Sequence, residues 1–141
     1  MAKRSFPQFN QLWLCYPADN QPCDQKKADG TNAWGNQCAI RISVTLEKAG
    51  FPLTDYTEPK CKHGHARGAE SLANYLWKQV SRPDTNCKKS DAIGKKGIVF
   101  FKDITGFRGD RGDHIDLWDG SKTKTGEYFN VCKKTWFWEI P

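Results

Sequence analysis

The chain has 141 residues with 38% hydrophobic and 13% aromatic content, enough apolar material for one packed domain over 1–141 and too much for a disordered chain. Lys and Arg number 22 against 16 Asp and Glu, a formal net charge of +6 scattered in pairs such as Lys26-Lys27 and Lys133-Lys134, which suits a generally anionic partner better than a dedicated phosphate groove. The longest apolar run, 12–16, falls far short of the ~18 residues of a membrane span, and no apolar stretch of the secretory kind follows Lys3-Arg4, so neither membrane insertion nor signal-directed export is expected.

Taken in chain order, Phe9, Leu12, Trp13 and Tyr16 recur at helical spacing, which predicts a short amphipathic helix stopped near Pro17. Residues 18–33 are mostly polar, with Asp19, Pro22 and Gly30, and read as a loop. Asn36 is then placed to cap a helix whose buried face is Ala39, Ile42, Leu46 and Ala49 and which ends near Gly50. Pro52 and Pro59 break residues 51–67. A clear helix follows over 68–80, with Ala69, Leu72, Ala73, Leu76, Trp77 and Val80 on one face. Residues 81–96 read as a polar connection.

The remainder reads as sheet. Residues 97–102 have the β-branched and aromatic content of a buried strand, and 106–113 form a glycine-rich turn. Strands are expected at 114–120, 128–131 and 136–140. Helices first and strands last define an α+β fold, N-terminal helices packed on a C-terminal antiparallel sheet.

Chemistry enters at Cys38, in the first turn of the second helix, where the dipole favours a thiolate. His114 opens a strand, and the period of two puts Asp116 and Trp118 on its face and Ile115 and Leu117 on the other. A helix N-terminal thiol facing a strand imidazole is what a cysteine nucleophile needs. The plainer reading of each residue is core packing.

Six cysteines, at 15, 23, 38, 61, 87 and 132, form no CxxC pair, which argues against a zinc ribbon. With Cys38 as a free nucleophile, at most two disulfides can form. Cys15 and Cys23 bracket a loop and could bridge. Cys61, His63 and His65 are metal-capable, but their spacing matches no standard zinc site, and a Cys61–Cys87 disulfide is preferred in an oxidising compartment; no metal is expected. The tandem Arg-Gly-Asp triplets at 108–113 are read as a turn. Six tryptophans leave open a non-catalytic wall-binding module, though helix and strand faces account for several of them.

The blocks Asn36-Gln37-Cys38-Ala39-Ile40-Arg41-Ile42-Ser43 and His114-Ile115-Asp116-Leu117-Trp118-Asp119-Gly120 resemble the two signatures of the type VI secretion amidase effectors, fourth family. Phe9-Asn10-Gln11-Leu12-Trp13, Tyr16-Pro17, Arg67 to Leu76 and Gly97 to Phe101 resemble its supporting segments, so the likeness runs over nearly the whole chain. The resemblance implies a papain-like, NlpC-like fold. It implies a cysteine amidase cutting peptidoglycan stem peptides between γ-D-glutamate and meso-diaminopimelate, with Cys38 as nucleophile and His114 as general base. It implies no cofactor, and no nucleotide, flavin or haem motif is visible. Delivery by the type VI apparatus into a target periplasm, from a cytoplasm where the chain is made without a signal peptide, follows from the same likeness, as does a periplasmic immunity protein as partner; no nucleic acid is expected. A phage or housekeeping peptidoglycan endopeptidase is the alternative.

The family places an acid roughly ten residues after the histidine. Here the only acid of that stretch is Glu127, taken first as the third catalytic residue, with Asp116 and Asp119 as alternatives. Asp113 also stands directly before His114, where the family leads one to expect glycine.

Overall fold

Periodicity places the first three helices where the structure has them. The structure, a computed structural model, describes residues 3–17, 23, 26–30, 37–106, 109 and 112–141. The helices are α1 (Phe9–Cys15), α2 (Cys38–Lys48), α3 (Ala69–Gln79) and α4 (Lys89–Ala92); the strands are β1 (Gly97–Ile104), β2 (Gly112–Trp118) and β3 (Cys132–Glu139).

Helix α2 sits at the centre. Ala39, Ile42 and Leu46 enter the main core with Leu12 of α1, Leu72, Ala73 and Leu76 of α3, and Ile98, Phe100, Ile115, Leu117 and Trp138 of the sheet. Its opposite stripe, Ile40 and Val44, is also covered, by Cys23 and Cys61. The helix ends as its glycine foretells: Gly50 takes φ +93°, and the Phe51 N–H reaches back to the Leu46 carbonyl at 2.8 Å, the closure a left-handed residue permits. Its start differs from expectation. Asn36 lies outside the described residues, and Gln37 occupies the N-cap position without capping through its side chain.

The sheet is antiparallel, in the order β2-β1-β3. Ile98 pairs with Leu117 and Phe100 with Ile115, and these side chains face the helices. Val99, Phe101 and Trp118 line the other face with Phe137 and Ala92. Gly97 lies opposite Glu139, and a β-carbon there would stand 1.8 Å from the Trp138 carbonyl oxygen. Gly97→Ala is therefore expected to push β3 off β1 and cost about 3 kcal/mol or more, read as a lowered midpoint in thermal unfolding.

Three expectations are corrected. Residues 128–131 are a turn rather than a strand, closed by the Val131 N–H on the Tyr128 carbonyl. Tyr128 and Phe129 use their rings to pack on Phe101, and Phe129 also packs on Trp118. The connection 81–96 contains α4, whose Asp91 carboxylate accepts the Lys88 N–H at 3.0 Å. No disulfide is formed among the described residues: Cys61 packs in one cluster with Cys23, while Cys87 lies in the other beside Cys132. That arrangement separates Cys61 from Cys87. Of the Arg-Gly-Asp triplets, Arg108, Asp110 and Arg111 lie outside the described residues; the Asp113 carboxylate accepts the Asp103 N–H at 2.9 Å across an irregular stretch of the β1–β2 pair. No helix among the described residues is long and apolar enough to cross a membrane.

Candidate active site

Cys38 is the first residue of α2 and is buried. The residue before it is tied down: the Gln37 side-chain carbonyl accepts the Cys23 N–H, and its amide donates to the Cys23 carbonyl, both at 2.9 Å. This paired bond fixes the chain entering the helix, and with it the thiol's starting point.

His114 comes from β2, opposite Phe101 of β1. Its ring stacks on Phe101 at 6.3 Å and meets the edge of Tyr128 at 5.3 Å. The Nε2–H donates to Asp116 Oδ2 at 2.8 Å. Burial works against the imidazolium, but the hydrogen bond and charge of Asp116, with Cys38 acting in the same direction, outweigh it and push the His114 pKa up to about 9. His114 and Asp116 are thus a buried hydrogen-bonded pair, with Cys38 among the groups that act on the ring.

Asp116 is completely buried. Its Oδ2 accepts the Thr125 hydroxyl at 2.7 Å, the Thr125 N–H at 2.9 Å and the Gly126 N–H at 3.1 Å. Its Oδ1 accepts the N–H groups of Leu117 and Lys124. Burial raises a carboxyl pKa, yet the bonds and charge of His114 and the Thr125 donors overcome that and hold this one below its ordinary value. It is an ionised acceptor built into the fold.

The other two acids stand elsewhere. Glu127, expected first, pairs with Lys89 of α4 at 2.8 Å. Asp119 accepts the Ser121 and Lys122 N–H groups at 2.9 and 2.8 Å, closing the turn after β2. The acid that the geometry sets against His114 is Asp116. Sequence reasoning passed over Thr125, although it lies in the stretch where an acid was sought. Its hydroxyl is 3.2 Å from His114 Nε2.

The Cys61 loop is a separate feature. Cys61 Sγ lies 3.8 Å from His65 Nδ1, and His65 Nε2 lies 3.8 Å from Glu47. No group of three or more His, Cys, Asp or Glu among the described residues is arranged to hold a metal ion. A cavity of about 640 Å³ lined by Arg4, Arg82, Asp91 and Trp138 includes none of Cys38, His114 and Asp116.

N-terminal helices packed on a C-terminal antiparallel sheet are the papain-like, NlpC fold, and the fold together with the family match supports a cysteine hydrolase of that kind. The particular family follows from residues 34–138, which match the family described as type VI secretion system (T6SS), amidase effector protein 4, or Tae4; the chain belongs to it. The fold agrees. The chain is 28% identical to Tae4 of Salmonella typhimurium, in the selenomethionine variant of its Tae4/Tai4 effector–immunity structure, over 97% of this chain and 100% of that one, with a TM-score of 0.69. Against the same organism's Tae4 in complex with the immunity Tai4 from Enterobacter cloacae, identity is 27% over 96% and 99%, with a TM-score of 0.70. Tae4 from Enterobacter cloacae shares the fold at a TM-score of 0.73 and 16% identity, over 99% of this chain and 100% of that one. No curated protein matches the chain.

Proposed function

We propose that the chain is an antibacterial amidase that hydrolyses the γ-D-glutamyl–meso-diaminopimelate bond of peptidoglycan stem peptides, with Cys38 as nucleophile, His114 as general base and acid, and Asp116 as the group that orients His114. The observation that supports this reading best is the buried His114–Asp116 pair, with Cys38 among the groups that act on the ring. With Nε2 bound to Asp116, the ring's other nitrogen, Nδ1, serves the sulfur.

The chemistry is acyl transfer. The Cys38 sulfur attacks the amide carbon, forming a C–S bond, and the carbonyl oxygen takes the negative charge. As the C–N bond breaks, His114 gives its Nδ1 proton to the departing diaminopimelate amine. A water then loses a proton to His114 and attacks the thioester, releasing the glutamyl carboxylate and the thiol. The Cys38 backbone N–H, in the first turn of α2, is our candidate donor to the oxyanion. As the sulfur attacks, His114 takes the Cys38 thiol proton at Nδ1, and this is the proton it gives to the departing amine.

Relatives of the family are solved with the immunity protein Tai4, and a periplasmic immunity protein covering the Cys38 cleft is part of this reading, as is delivery by a type VI apparatus. The test is a digest of purified diaminopimelate-type peptidoglycan, with fragments read by mass spectrometry. New D-glutamate and diaminopimelate ends are expected with wild type and not with Cys38→Ala. Sugar-chain ends, or cleavage that survives in Cys38→Ala, would overturn the assignment.

A further inference from the structure

The loop after β2 doubles back along its own strand. Thr123 bridges to Trp118, and the Lys124 N–H is shared between the Leu117 carbonyl at 3.3 Å and Asp116 Oδ1 at 3.2 Å. The backbone of Lys124 is therefore fixed against the carboxylate that bonds His114. Its side chain reaches the end of α1: the ammonium nitrogen stands 3.9 Å from the centre of the Trp13 ring and 5.7 Å from that of Tyr16. Both rings are seated on the main core, Trp13 against Phe9 at 5.6 Å. The Tyr16 hydroxyl accepts the Arg41 Nε–H at 3.0 Å, one turn beyond Cys38 on α2.

An ammonium carries three N–H donors. An aromatic face attracts its charge but leaves donors on the far side unused. Among the described residues no carboxylate pairs with Lys124, and Asp116 spends its oxygens on His114, Thr125, Gly126 and the N–H groups of Leu117 and Lys124. The rings thus hold a half-buried cation beside the His114–Asp116 pair with donors to spare for a ligand.

We propose that Lys124, floored by Trp13 and Tyr16, is a specificity-determining residue that receives a carboxylate flanking the scissile amide of the stem peptide. The ligand rests on the amidase reading. A γ-D-glutamyl–diaminopimelate bond has such a group on either side, the glutamate α-carboxylate on the acyl part and the free carboxylate of diaminopimelate on the amine part. A carboxylate gains a charge-assisted hydrogen bond from the stacked ammonium. An amidated stem peptide keeps the shape and loses the charge, so it is the analogue such a site rejects.

Synthetic stem peptides with both acids free, with the glutamate α-carboxylate amidated, and with the diaminopimelate carboxylate amidated separate the two sources. Wild type is expected to prefer the free acid over one of the amides by about tenfold in kcat/KM, and the amide that is penalised identifies the carboxylate. Lys124→Met, which keeps an unbranched apolar stem on Trp13, should bring that ratio to within about twofold. Lys124→Arg, which keeps the charge and stacks on aromatic faces, should retain most of it. The fraction of folded protein cancels in such a ratio, so a merely structural role would leave it unmoved. A wild type indifferent to both amides, or a preference that Lys124→Met leaves intact, would overturn the proposal while the amidase reading stands. The same peptides are titrated calorimetrically into Cys38→Ala, with and without Lys124→Met. Acid-selective binding that needs Lys124, in a protein whose wild type cuts no stem peptide, would overturn the amidase reading and leave the carboxylate site standing. Neither cleavage nor binding would overturn both.

Discussion

Asp116→Asn is expected to lower kcat/KM on peptidoglycan fragments by about a thousandfold or more, while Glu127→Gln leaves it within about threefold. The difference lies in the partners. Asp116 Oδ2 receives only donors, from His114, Thr125 and Gly126. An asparagine that turns its NH₂ toward them meets four N–H or O–H groups with a fifth donor. Turned the other way, the NH₂ meets the N–H groups of Leu117 and Lys124. In either pose one side of the carboxylate's site loses its acceptor. Where the NH₂ faces His114, the imidazole presents a lone pair at Nε2 and carries its proton at Nδ1, the wrong tautomer for receiving a proton from the Cys38 thiol. Glu127 makes one exposed pair with Lys89, an interaction of little consequence to the fold. Steady-state kinetics of the two variants, with thermal unfolding to show that each is folded, decides between the acids. Equal losses would return the role to Glu127.

The same comparison shows what the sequence did and did not disclose. Helices α1, α2 and α3 were legible because each buries an apolar stripe at helical spacing, and the central strand β1 was legible from its β-branched and aromatic run. Strand periodicity placed His114 and Asp116 on one face two residues apart, so the pair was visible in principle. It lost out to Glu127 because the family resemblance puts the acid later in the chain. Here that later stretch supplies Thr125 instead, whose hydroxyl reaches both His114 and Asp116; a threonine gives no signal to a search for acids. Residues 128–131 carry strand-like composition, yet their aromatic rings are spent on packing over Phe101 and Trp118. The four residues of α4 have no apolar period to read. The second buried stripe of α2, Ile40 and Val44, depends on Cys23 and Cys61 from distant loops, and only tertiary structure brings those together.

Thermal stability should peak at about pH 6–7 and fall as pH rises toward 9, by an amount on the order of 3 kcal/mol if the His114 pair acts alone. The sign follows from the direction of the shift. The folded-state pKa of His114, about 9, lies above the ordinary 6.5, so its contribution is fully present below 6.5 and is lost as pH climbs through 9. Asp116 is held below 3.8; its contribution is present above 3.8 and lost as acid protonates it in the fold. Both describe one ion pair and count once. The window from 7 to 9 isolates His114. His65, lowered chiefly by burial, costs stability only below about 6.5. Burial, with the Asp84 and Asp91 charges, pushes the Cys87 thiol up to about 11, so its effect starts above 9, and the buried phenols Tyr16 and Tyr56, both near 12, act later still. Calorimetric melts from pH 5 to 9.5 on wild type should therefore show a midpoint falling by several degrees across 7 to 9. In Asp116→Asn the imidazolium loses its buried counter-charge, so the fall should begin nearer 6.5 and be much smaller. A wild-type midpoint that stays flat to pH 9 would mean that the imidazolium is not held in the fold, and the ion pair on which the proposed nucleophile depends would go with it.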